Sequence, residues 1–316
     1  MELEQQTKRV YPLPQFQVAE PVDLASQADY AECRRIMQAA SNNYSFASIF
    51  FPPDKLQHVE ALYALMRVGD DRVDVSHEGF GSPEEAIDDW EQAYWRVFAT
   101  GDSPYPVMRA YLNTAVEFGI PKEVIAPYFR AMKDDLSITR FPTFKDLLYY
   151  MDGSALPVGR AMTYILGVQS PFTIEEALPG ADSLSIAMQL SNFWRDIGYD
   201  WSIGRVYLPQ EDMQFFGVSE DDLAAGKTTP EFINLLEFQI HRTEDYYRQA
   251  RQSVKMLATG QWAVMSGLEV YKAILSGIRK NHYDVFQKRS RSTKAKKLRL
   301  AVKSYWHVSW QRVLTP

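Results

Sequence analysis

Two pairs of aspartates, each separated by four residues, are the side chains in this sequence best suited to chemistry. The first pair is Asp70 and Asp74. Residues four apart lie one turn from each other on a helix, so both carboxylates point to the same face. The surrounding segment is otherwise apolar, and two like charges that leave water need a cation between them. Oxygen ligands with no His or Cys nearby favour Mg²⁺, or the similarly hard Mn²⁺, over zinc.

The second pair belongs to a longer polar stripe on another predicted helix. Asn192, Asp196 and Asp200 follow one another at four-residue spacing, and Gln189 lies three residues before Asn192. If the two helices face each other, four carboxylates line one cavity. Two or three divalent ions and a phosphate or diphosphate would then balance their charge. Each pair alone is explained equally well by a solvated surface, but the two together on apolar helices favour a site.

Such a site supports the ionisation of a diphosphate ester. Metal ions and cationic side chains stabilise the charge that develops on the leaving pyrophosphate, and an allylic carbocation is left in an apolar pocket. The nearby candidates for contacts to the leaving group are Arg67, Arg195, Arg205 and Tyr207. Aromatic residues make up 13% of the chain. Their ring faces can shield a cation, although aromatic residues at helical spacing are more often part of a core.

Three further pairs of adjacent aspartates occur in the chain. Glutamate and loop residues surround the pairs at 88–89 and 221–222, so we predict that these two are solvated surface. The pair at 134–135 has no assigned role.

The elements that must position these residues are helices. Proline is expected near the first turn of several, and Gly101, Gly119, Gly167 and Gly217 are expected where helices end. Apolar residues recur at three- and four-residue spacing in 24–40, 53–74, 82–100, 105–118, 121–137, 143–166, 182–201, 230–258 and 261–288. We therefore predict an all-α protein built as a single-domain helical bundle. The expected boundaries are an extended or disordered arm at 1–22, a helical domain at 23–300 and a C-terminal tail at 301–316.

One predicted helix is irregular. Gly153 and Pro157 fall inside the pattern of 143–166, and proline removes a backbone hydrogen bond from a helix and bends it. Such an opening is suited to a substrate pocket, and a merely bent packing helix is an equally good explanation.

Composition excludes several classes of protein. The 316 residues are 46% hydrophobic, and Cys33 is the single cysteine, so no intramolecular disulfide framework exists. The five histidines do not fall at zinc-site spacing. No signal-peptide pattern and no apolar run long enough to span a membrane is present, which predicts a cytoplasmic protein in a reducing compartment.

Charge is distributed unevenly. Residues 288–304 carry eight Lys and Arg and no acid, so the rest of the chain is near −14 although the whole carries −6. This pattern argues against general nucleic-acid binding. It suits a phosphate group or peripheral attachment to the inner, anionic face of a membrane, and a solvated final helix explains it equally well.

The motifs closely resemble the squalene/phytoene synthase family of head-to-head prenyltransferases. The first aspartate motif corresponds to Leu62–Asp74, and the second corresponds to Gln189–Asp200 followed by Gly204–Pro209. Between them, Tyr150 and Gly153–Gly159 resemble the kinked helix of the family, and Tyr283–Arg289 resembles its closing signature. The likeness covers about residues 30–300 in the same order.

This resemblance implies the isoprenoid synthase helical bundle with a central cavity. It implies Mg²⁺ bound through Asp70, Asp74, Asn192, Asp196 and Asp200, with Tyr150 among the catalytic residues. The positions that line the pocket or contact diphosphate are Gln189, Arg67, Arg195, Tyr271 and Arg289. The implied reaction joins two prenyl diphosphates, such as farnesyl or geranylgeranyl diphosphate, into a cyclopropylcarbinyl diphosphate that is then rearranged.

Three segments look most like the hydroxysqualene synthase branch of the hopanoid pathway, whose enzyme adds water to presqualene diphosphate. They are 43–52, Ser154–Arg160 and Asn192-Phe-Trp194. Squalene, dehydrosqualene and phytoene synthases are the alternatives. No glycine-rich nucleotide fingerprint follows a strand, so NADPH is not expected, although helical squalene synthases bind it without one.

A non-catalytic relative that binds lipid or assists assembly would be expected to lose its aspartates. A head-to-tail elongase or cyclase would have a more acidic first motif.

Overall fold

A computed structural model describes residues 25–40, 51–74, 79–287 and Ser304. These residues form twelve α-helices and no strand, which confirms the all-α prediction. The helices are α1 Gln27–Ala40, α2 Pro53–Asp74, α3 Pro83–Thr100, α4 Pro106–Phe118, α5 Ala126–Asp134, α6 Phe144–Ser154, α7 Leu156–Leu166, α8 Ile174–Ser202, α9 Gln210–Phe216, α10 Glu220–Ala225, α11 Pro230–Ser253 and α12 Gln261–Lys280. Two 3₁₀ turns, Lys122–Val124 and Val254–Met256, precede α5 and follow α11. The predicted arm at 1–22 and the tail at 301–316, apart from Ser304, lie outside the described residues.

Helix ends follow the local chemistry of the sequence. Ser82, Thr143 and Thr173 each accept a hydrogen bond from a backbone N–H of the first turn of the helix that follows. This contact satisfies a donor that has no partner inside the helix. Gly101 and Gly217 end their helices in the left-handed conformation, which glycine adopts without a Cβ clash.

Several predicted boundaries are wrong, for identifiable reasons. The helix predicted at 182–201 begins eight residues earlier, at Ile174, because the Thr173 cap starts it and the interior Pro179 is tolerated. The helix predicted at 121–137 begins as a 3₁₀ turn and is α-helical only over Ala126–Asp134. The last two predicted helices end early, at Ser253 and Lys280. The short helices α9 and α10 were not predicted, because one or two turns carry too little periodicity.

The 29-residue helix α8 is the centre of the bundle. It packs against α7, α11 and α12, while α2 packs against α1, α3, α4 and α7 on the other side. Trp194 of α8 is fully buried and donates from Nε1 to Thr243 Oγ1 of α11 at 2.8 Å. Trp90 of α3 donates in the same way to the Leu65 carbonyl of α2 at 3.1 Å. Buried indoles whose N–H groups are satisfied fix the rotation of these helices about their axes.

No helix within the described ranges is both long enough and apolar enough to cross a membrane.

Candidate active site

A cavity of about 280 Å³ lies between α7, α8, α11 and α12. Along α8, it is bordered by a single face of the helix, whose residues recur at three- and four-residue spacing. From the deep end to the polar end these are Ala177, Gly180, Ala181, Leu184, Ser185, Met188, Gln189 and Asn192. The face is small and apolar through its N-terminal half and carries amides at its C-terminal end. One helix therefore combines an apolar wall with the start of the predicted polar stripe.

The predicted irregularity at 143–166 is a break between two helices, and it borders the cavity. At Ala155 the backbone leaves the helical region, with φ −132° and ψ −44°, and Pro157 lies in the first turn of the new helix α7. Ser154, Ala155 and Val158 line the cavity. Proline has no N–H to donate back to α6, which explains why the helix restarts here.

Gly153 serves packing rather than bending. A Cβ at this position would lie 2.3 Å from the Pro127 carbonyl oxygen and 2.6 Å from the Ala131 Cβ of α5. Glycine thus lets α5 and α6 approach closely, and Tyr150 of α6 reaches Asp135 at the end of α5.

The first aspartate pair occupies the last two turns of α2. The Tyr128 hydroxyl of α5 lies 3.0 Å from Asp70 Oδ1 and 2.7 Å from the Met66 carbonyl oxygen, and its proton is directed between these two acceptors. A Cβ at Gly69 would lie 2.1 Å from that hydroxyl, so only glycine lets Tyr128 reach Asp70. Burial raises the pKa of Asp70 to about 7, although Tyr128 and Arg67 act in the opposite direction.

Asp74 is the more exposed member of the pair, with 57% of its side chain accessible. Arg205, on the loop after α8, holds one guanidinium nitrogen 3.6 Å from Asp74 Oδ1 and donates to the Asp135 carbonyl oxygen. The backbone N–H of Arg205 donates to the Asp200 carbonyl oxygen at 2.8 Å. The loop after the second motif thus reaches the first motif, which brings the ends of α2 and α8 to the same pole of the bundle.

The second stripe continues from the cavity lining toward the end of α8. Asp196 and Asp200 lie one and two turns beyond Asn192 on the same face. Asp196 accepts two hydrogen bonds from the neighbouring Arg195, one of them 2.8 Å long. Tyr271 of α12 lines the cavity beside Gln189 and Asn192. Burial raises the pKa of Tyr271, and the charge of Arg195 opposes that rise.

The predicted cationic residues contact acids of this site. Arg67 pairs with Asp71 one turn away, with its Nε 3.1 Å from a carboxylate oxygen. Arg195 pairs with Asp196, and Arg205 lies between Asp74 and Asp135, whose closest carboxylate oxygen is 4.0 Å away. Three guanidinium groups therefore balance part of the negative charge at the C-terminal ends of α2 and α8. Arg289 lies outside the described residues.

Asp135 is a site residue to which the sequence assigned no role. Its side chain is only 10% exposed, and the Tyr150 hydroxyl donates to its Oδ1 at 2.8 Å. Burial raises the pKa of Asp135 to about 6. The sequence does carry an indication that Asp135 faces the protein interior. It lies seven residues after buried Tyr128 and three after buried Met132, so it shares their face of the helix. Asp134, one residue earlier, instead faces Arg130.

Stacked aromatic rings support this acid. Tyr207 stacks on Phe193 of α8 at 3.9 Å between ring centroids, with only 9° between the planes, and on Phe141 at 5.6 Å. Burial raises the pKa of Tyr207 to about 12 and holds that of Tyr150 well above its ordinary value. Both hydroxyls therefore stay protonated at neutral pH. Tyr207, predicted as a leaving-group contact, accepts a long hydrogen bond of 3.5 Å from Arg205.

The segment after α12 packs directly on the second motif. A Cβ at Gly198, between Asp196 and Asp200, would lie 2.8 Å from the Phe286 Cα and 3.1 Å from the Val285 carbonyl oxygen. Glycine at this position lets the backbone of 285–286 lie against α8. The chain that leads to the predicted closing signature is thus fixed against the last turns of α8, on the side of the helix opposite to Asp196 and Asp200, because residues two apart in a helix point to opposite sides.

Within the described ranges, no group of three or more His, Cys, Asp or Glu side chains is arranged to hold a metal ion. The acids instead form two half-sites, with Asp70 and Asp74 on α2 and Asn192, Asp196 and Asp200 on α8. Mg²⁺ is commonly bound by one or two carboxylates, several waters and substrate phosphates rather than by a complete protein cage. The donor set therefore fits a hard cation shared with a diphosphate.

Comparison with known sequences identifies the family. A profile of the squalene/phytoene synthase family matches residues 37–297. The chain is 32% identical over 273 residues to the chloroplastic phytoene synthase of an Oncidium hybrid cultivar, covering 85% of this chain and 66% of that protein. It is 31% identical over 277 residues to the 15-cis-phytoene synthase of Synechococcus elongatus, covering 84% of this chain and 89% of that protein.

Solved structures agree with the sequence comparison. A dehydrosqualene synthase determined with a ligand superposes with a TM-score of 0.82 at 25% identity, covering 90% of this chain and 97% of the other. Squalene synthase HpnC from Alicyclobacillus acidocaldarius superposes with a TM-score of 0.73 at 29% identity, covering 84% and 97%. The chain belongs to the squalene/phytoene synthase family, whose members are prenyltransferases that condense prenyl diphosphates head to head.

Proposed function

We propose that this chain joins two prenyl diphosphates head to head in a reaction that depends on Mg²⁺, with Mn²⁺ as a substitute. The face of α8 carries the proposal, because its small apolar half lines the cavity and its amide and carboxylate half ends at the two aspartate motifs. An isoprenoid chain fits the first half and a diphosphate fits the second.

The roles of the side chains follow from their positions. The divalent ions would neutralise the charge of the leaving diphosphate when bound. The residues that would hold them are Asp70, Asp74, Asn192, Asp196 and Asp200. Arg67, Arg195 and Arg205 are within reach of the same end and would contact the diphosphate oxygens, together with Tyr207 and, by resemblance, Arg289. Gln189 and Tyr271 border the cavity where the reacting carbon would lie.

The bond changes balance as follows. The carbon–oxygen bond of the first substrate breaks, and the electron pair leaves with pyrophosphate. The double bond of the second substrate attacks the allylic cation, and one proton is lost as the cyclopropane ring closes. The Tyr150 hydroxyl, held by Asp135, is a candidate to orient the departing group during these steps. The apolar wall excludes water, which would otherwise capture the cation.

Substitution of the aspartates tests the proposal. Asp70→Ala or Asp196→Ala is expected to reduce Mg²⁺-dependent pyrophosphate release from farnesyl and geranylgeranyl diphosphate by at least a thousandfold, while the helical circular dichroism is kept. The exposed Asp221→Ala is the matched control and is expected to be fully active. Near-normal turnover by either site variant would refute the metal role. Binding of apolar ligands with no pyrophosphate release by the unmodified protein would instead support the non-catalytic alternative.

A second candidate reaction is the addition of water to presqualene diphosphate, which yields hydroxysqualene, pyrophosphate and a proton. The observation that favours it is Ser154, a residue of the apolar cavity lining whose buried hydroxyl oxygen has no hydrogen-bond partner among the described residues. A buried hydroxyl without a partner is suited to hold one water molecule beside a carbocation. In this reaction no reductant is consumed, whereas formation of squalene requires a hydride donor such as NADPH.

Incubation of the full chain with presqualene diphosphate in ¹⁸O-labelled water, with and without NADPH, separates these outcomes by mass spectrometry. Labelled alcohol formed without NADPH supports water addition. A hydrocarbon formed only with NADPH supports squalene synthesis, and accumulation of presqualene diphosphate from farnesyl diphosphate supports the coupling step alone.

A further inference from the structure

Gly267 of α12 differs from the other glycines that line the cavity. A Cβ at Gly159 would lie 2.2 Å from Ser185 Oγ, and a Cβ at Gly180 would lie 2.0 Å from Ser253 Cβ. At those two positions glycine is required for close contact between helices. Among the residues that the structure describes, none has a heavy atom within 4 Å of a Cβ placed at Gly267, even though the residue is buried.

The open space in front of Gly267 is the cavity itself. Gly267 belongs to the cavity lining and lies in the interior of α12, where its backbone is helical. A larger residue would need no rearrangement of the backbone and would place its side chain in the cavity. Glycine also weakens a helix relative to alanine, because it loses more conformational freedom on folding. Packing and helix formation thus give no reason for glycine here.

The position of Gly267 along the cavity is central. Tyr271, one turn further along α12, lies at the polar end beside Gln189. Ala263 and Val264, one turn earlier, lie toward the deep end, where Leu166 and Leu257 line the wall. A side chain at Gly267 would narrow the passage between the diphosphate end and the deep end.

The cavity is long enough for its depth to discriminate between substrates. Its wall on α8 extends from Ala177 to Asn192, which are fifteen helical steps apart, or about 22 Å at the helical rise of about 1.5 Å per residue. With carbon–carbon bonds of about 1.5 Å, an extended fifteen-carbon prenyl chain spans about 15 Å and a twenty-carbon chain about 20 Å. The longer chain reaches the deep end and the shorter one leaves part of it empty.

We infer that Gly267 is a specificity-determining residue, whose missing side chain leaves the passage wide enough for a twenty-carbon prenyl diphosphate. This inference rests on the proposed function and names the structural origin of chain-length selection at that site. A side chain at this position removes cavity volume, and the longer substrate, which needs the most volume, is disfavoured first. One methylene group in an apolar pocket changes discrimination by about 10- to 200-fold.

The test compares Gly267→Ala and Gly267→Leu with the unmodified full chain in the presence of Mg²⁺. The ratio of kcat/KM for geranylgeranyl to kcat/KM for farnesyl diphosphate, measured by pyrophosphate release, is expected to fall severalfold in the alanine variant. It is expected to fall at least tenfold in the leucine variant. Ser276→Leu, at an exposed position of the same helix, is the matched control and keeps the original ratio.

Stability provides an independent readout. Gly267→Ala is expected to raise the Tm, because the helix gains a better former and no contact is lost. The alanine variant therefore tests the inference even if the leucine variant does not fold. An unchanged ratio in a folded Gly267 variant overturns the inference. Absence of pyrophosphate release from both substrates by the unmodified chain is a different result, which refutes the proposed function instead.

Discussion

At the scale of residues, glycines determine how the acids of the site are held. Gly69 gives Tyr128 access to Asp70, and Gly198 lets the chain at Phe286 pack on the side of α8 that is opposite to Asp196 and Asp200. Neither role can be read from the sequence, because the atoms that a Cβ would meet belong to distant segments. The aspartate pairs themselves could be predicted, since four-residue spacing alone places them on one face.

Asp135 marks the limit of that prediction. Its adjacency to Asp134 looks like many solvated acid pairs, and only the phase of α5 relative to Tyr128 distinguishes Asp135 from the more accessible Asp134. The hydrogen bond from Tyr150 depends on the close approach at Gly153, which joins residues from two helices. The sequence therefore predicted the two aspartate pairs and missed the acid that accepts the hydrogen bond of the Tyr150 hydroxyl.

The pKa of Asp70 predicts how the metal-free protein responds to pH. Burial raises this pKa from 3.8 to about 7, so the folded state favours the protonated acid. The resulting stability is fully present below about pH 4 and is lost as the pH rises through about 7. Between pH 6 and pH 8, the Tm of the metal-free protein is expected to fall, and Mg²⁺ is expected to reverse the fall.

Thermal unfolding at several pH values, with and without Mg²⁺, measures this effect. Asp70→Asn is the control, because it lacks the titrating group and should show a smaller dependence on both pH and Mg²⁺. If the unmodified protein and Asp70→Asn follow the same curve between pH 6 and pH 8, Asp70 does not titrate in that range.

At the scale of elements, the break between α6 and α7 and the single face of α8 shape the cavity. The break was predicted from Gly153 and Pro157, but the two residues act differently. Pro157 restarts the helix, whereas Gly153 allows contact with α5. Two features depend on helix caps and tertiary packing: the short helices α9 and α10, and the early start of α8. The spacing of apolar residues contains no information about caps or packing, so it could not predict them.

Gly153→Ala is expected to separate α5 from α6, because its Cβ would meet the Pro127 carbonyl oxygen, which cannot rotate away. Overpacking of this kind costs about 1–3 kcal/mol of unfolding free energy. Displacement of Asp135 from Tyr150 is expected to lower kcat more than it changes KM. Urea denaturation and steady-state kinetics measure the two effects.

Gly267→Ala is the matched control for stability, since it adds the same methyl group to a buried helical glycine where space is open. A Gly153→Ala protein as stable as the unmodified chain would show that the α5–α6 contact can relax.

At the scale of the whole molecule, charge is separated along the chain. The family profile ends at residue 297, and eight Lys and Arg lie at 288–304 against a body near −14. Residues 285–286, which precede this segment in the sequence, lie against the C-terminal end of α8. A basic segment that follows them in the chain is suited to bring this end of the bundle to an anionic lipid surface.

Removal of residues 290–316 is expected to weaken binding to vesicles that contain anionic lipid, because six of the eight cationic side chains are lost. Each Lys or Arg near such a surface contributes about 1 kcal/mol. Co-sedimentation at low and high salt measures binding, with neutral vesicles as the control. Pyrophosphate release from substrate in detergent is expected to change much less. Equal binding of the truncated and full chains to anionic vesicles would rule out this role.

The pairing of Arg195 with Asp196 and of Arg205 with Asp74 has a consequence for how the site fills. Each guanidinium serves as an internal counterion, so part of the negative charge of the acids at this end of the bundle is already compensated. A divalent ion that arrives alone must compete with these counterions, and a diphosphate that arrives alone must draw them from the acids. If both were bound, the arginines would be free to contact the phosphate oxygens, and Asp74 and Asp196 would be free to hold a divalent ion that neutralises charge on the diphosphate. Metal and substrate are thus expected to enter cooperatively, and the charge needed to hold the leaving group is stored in the resting protein.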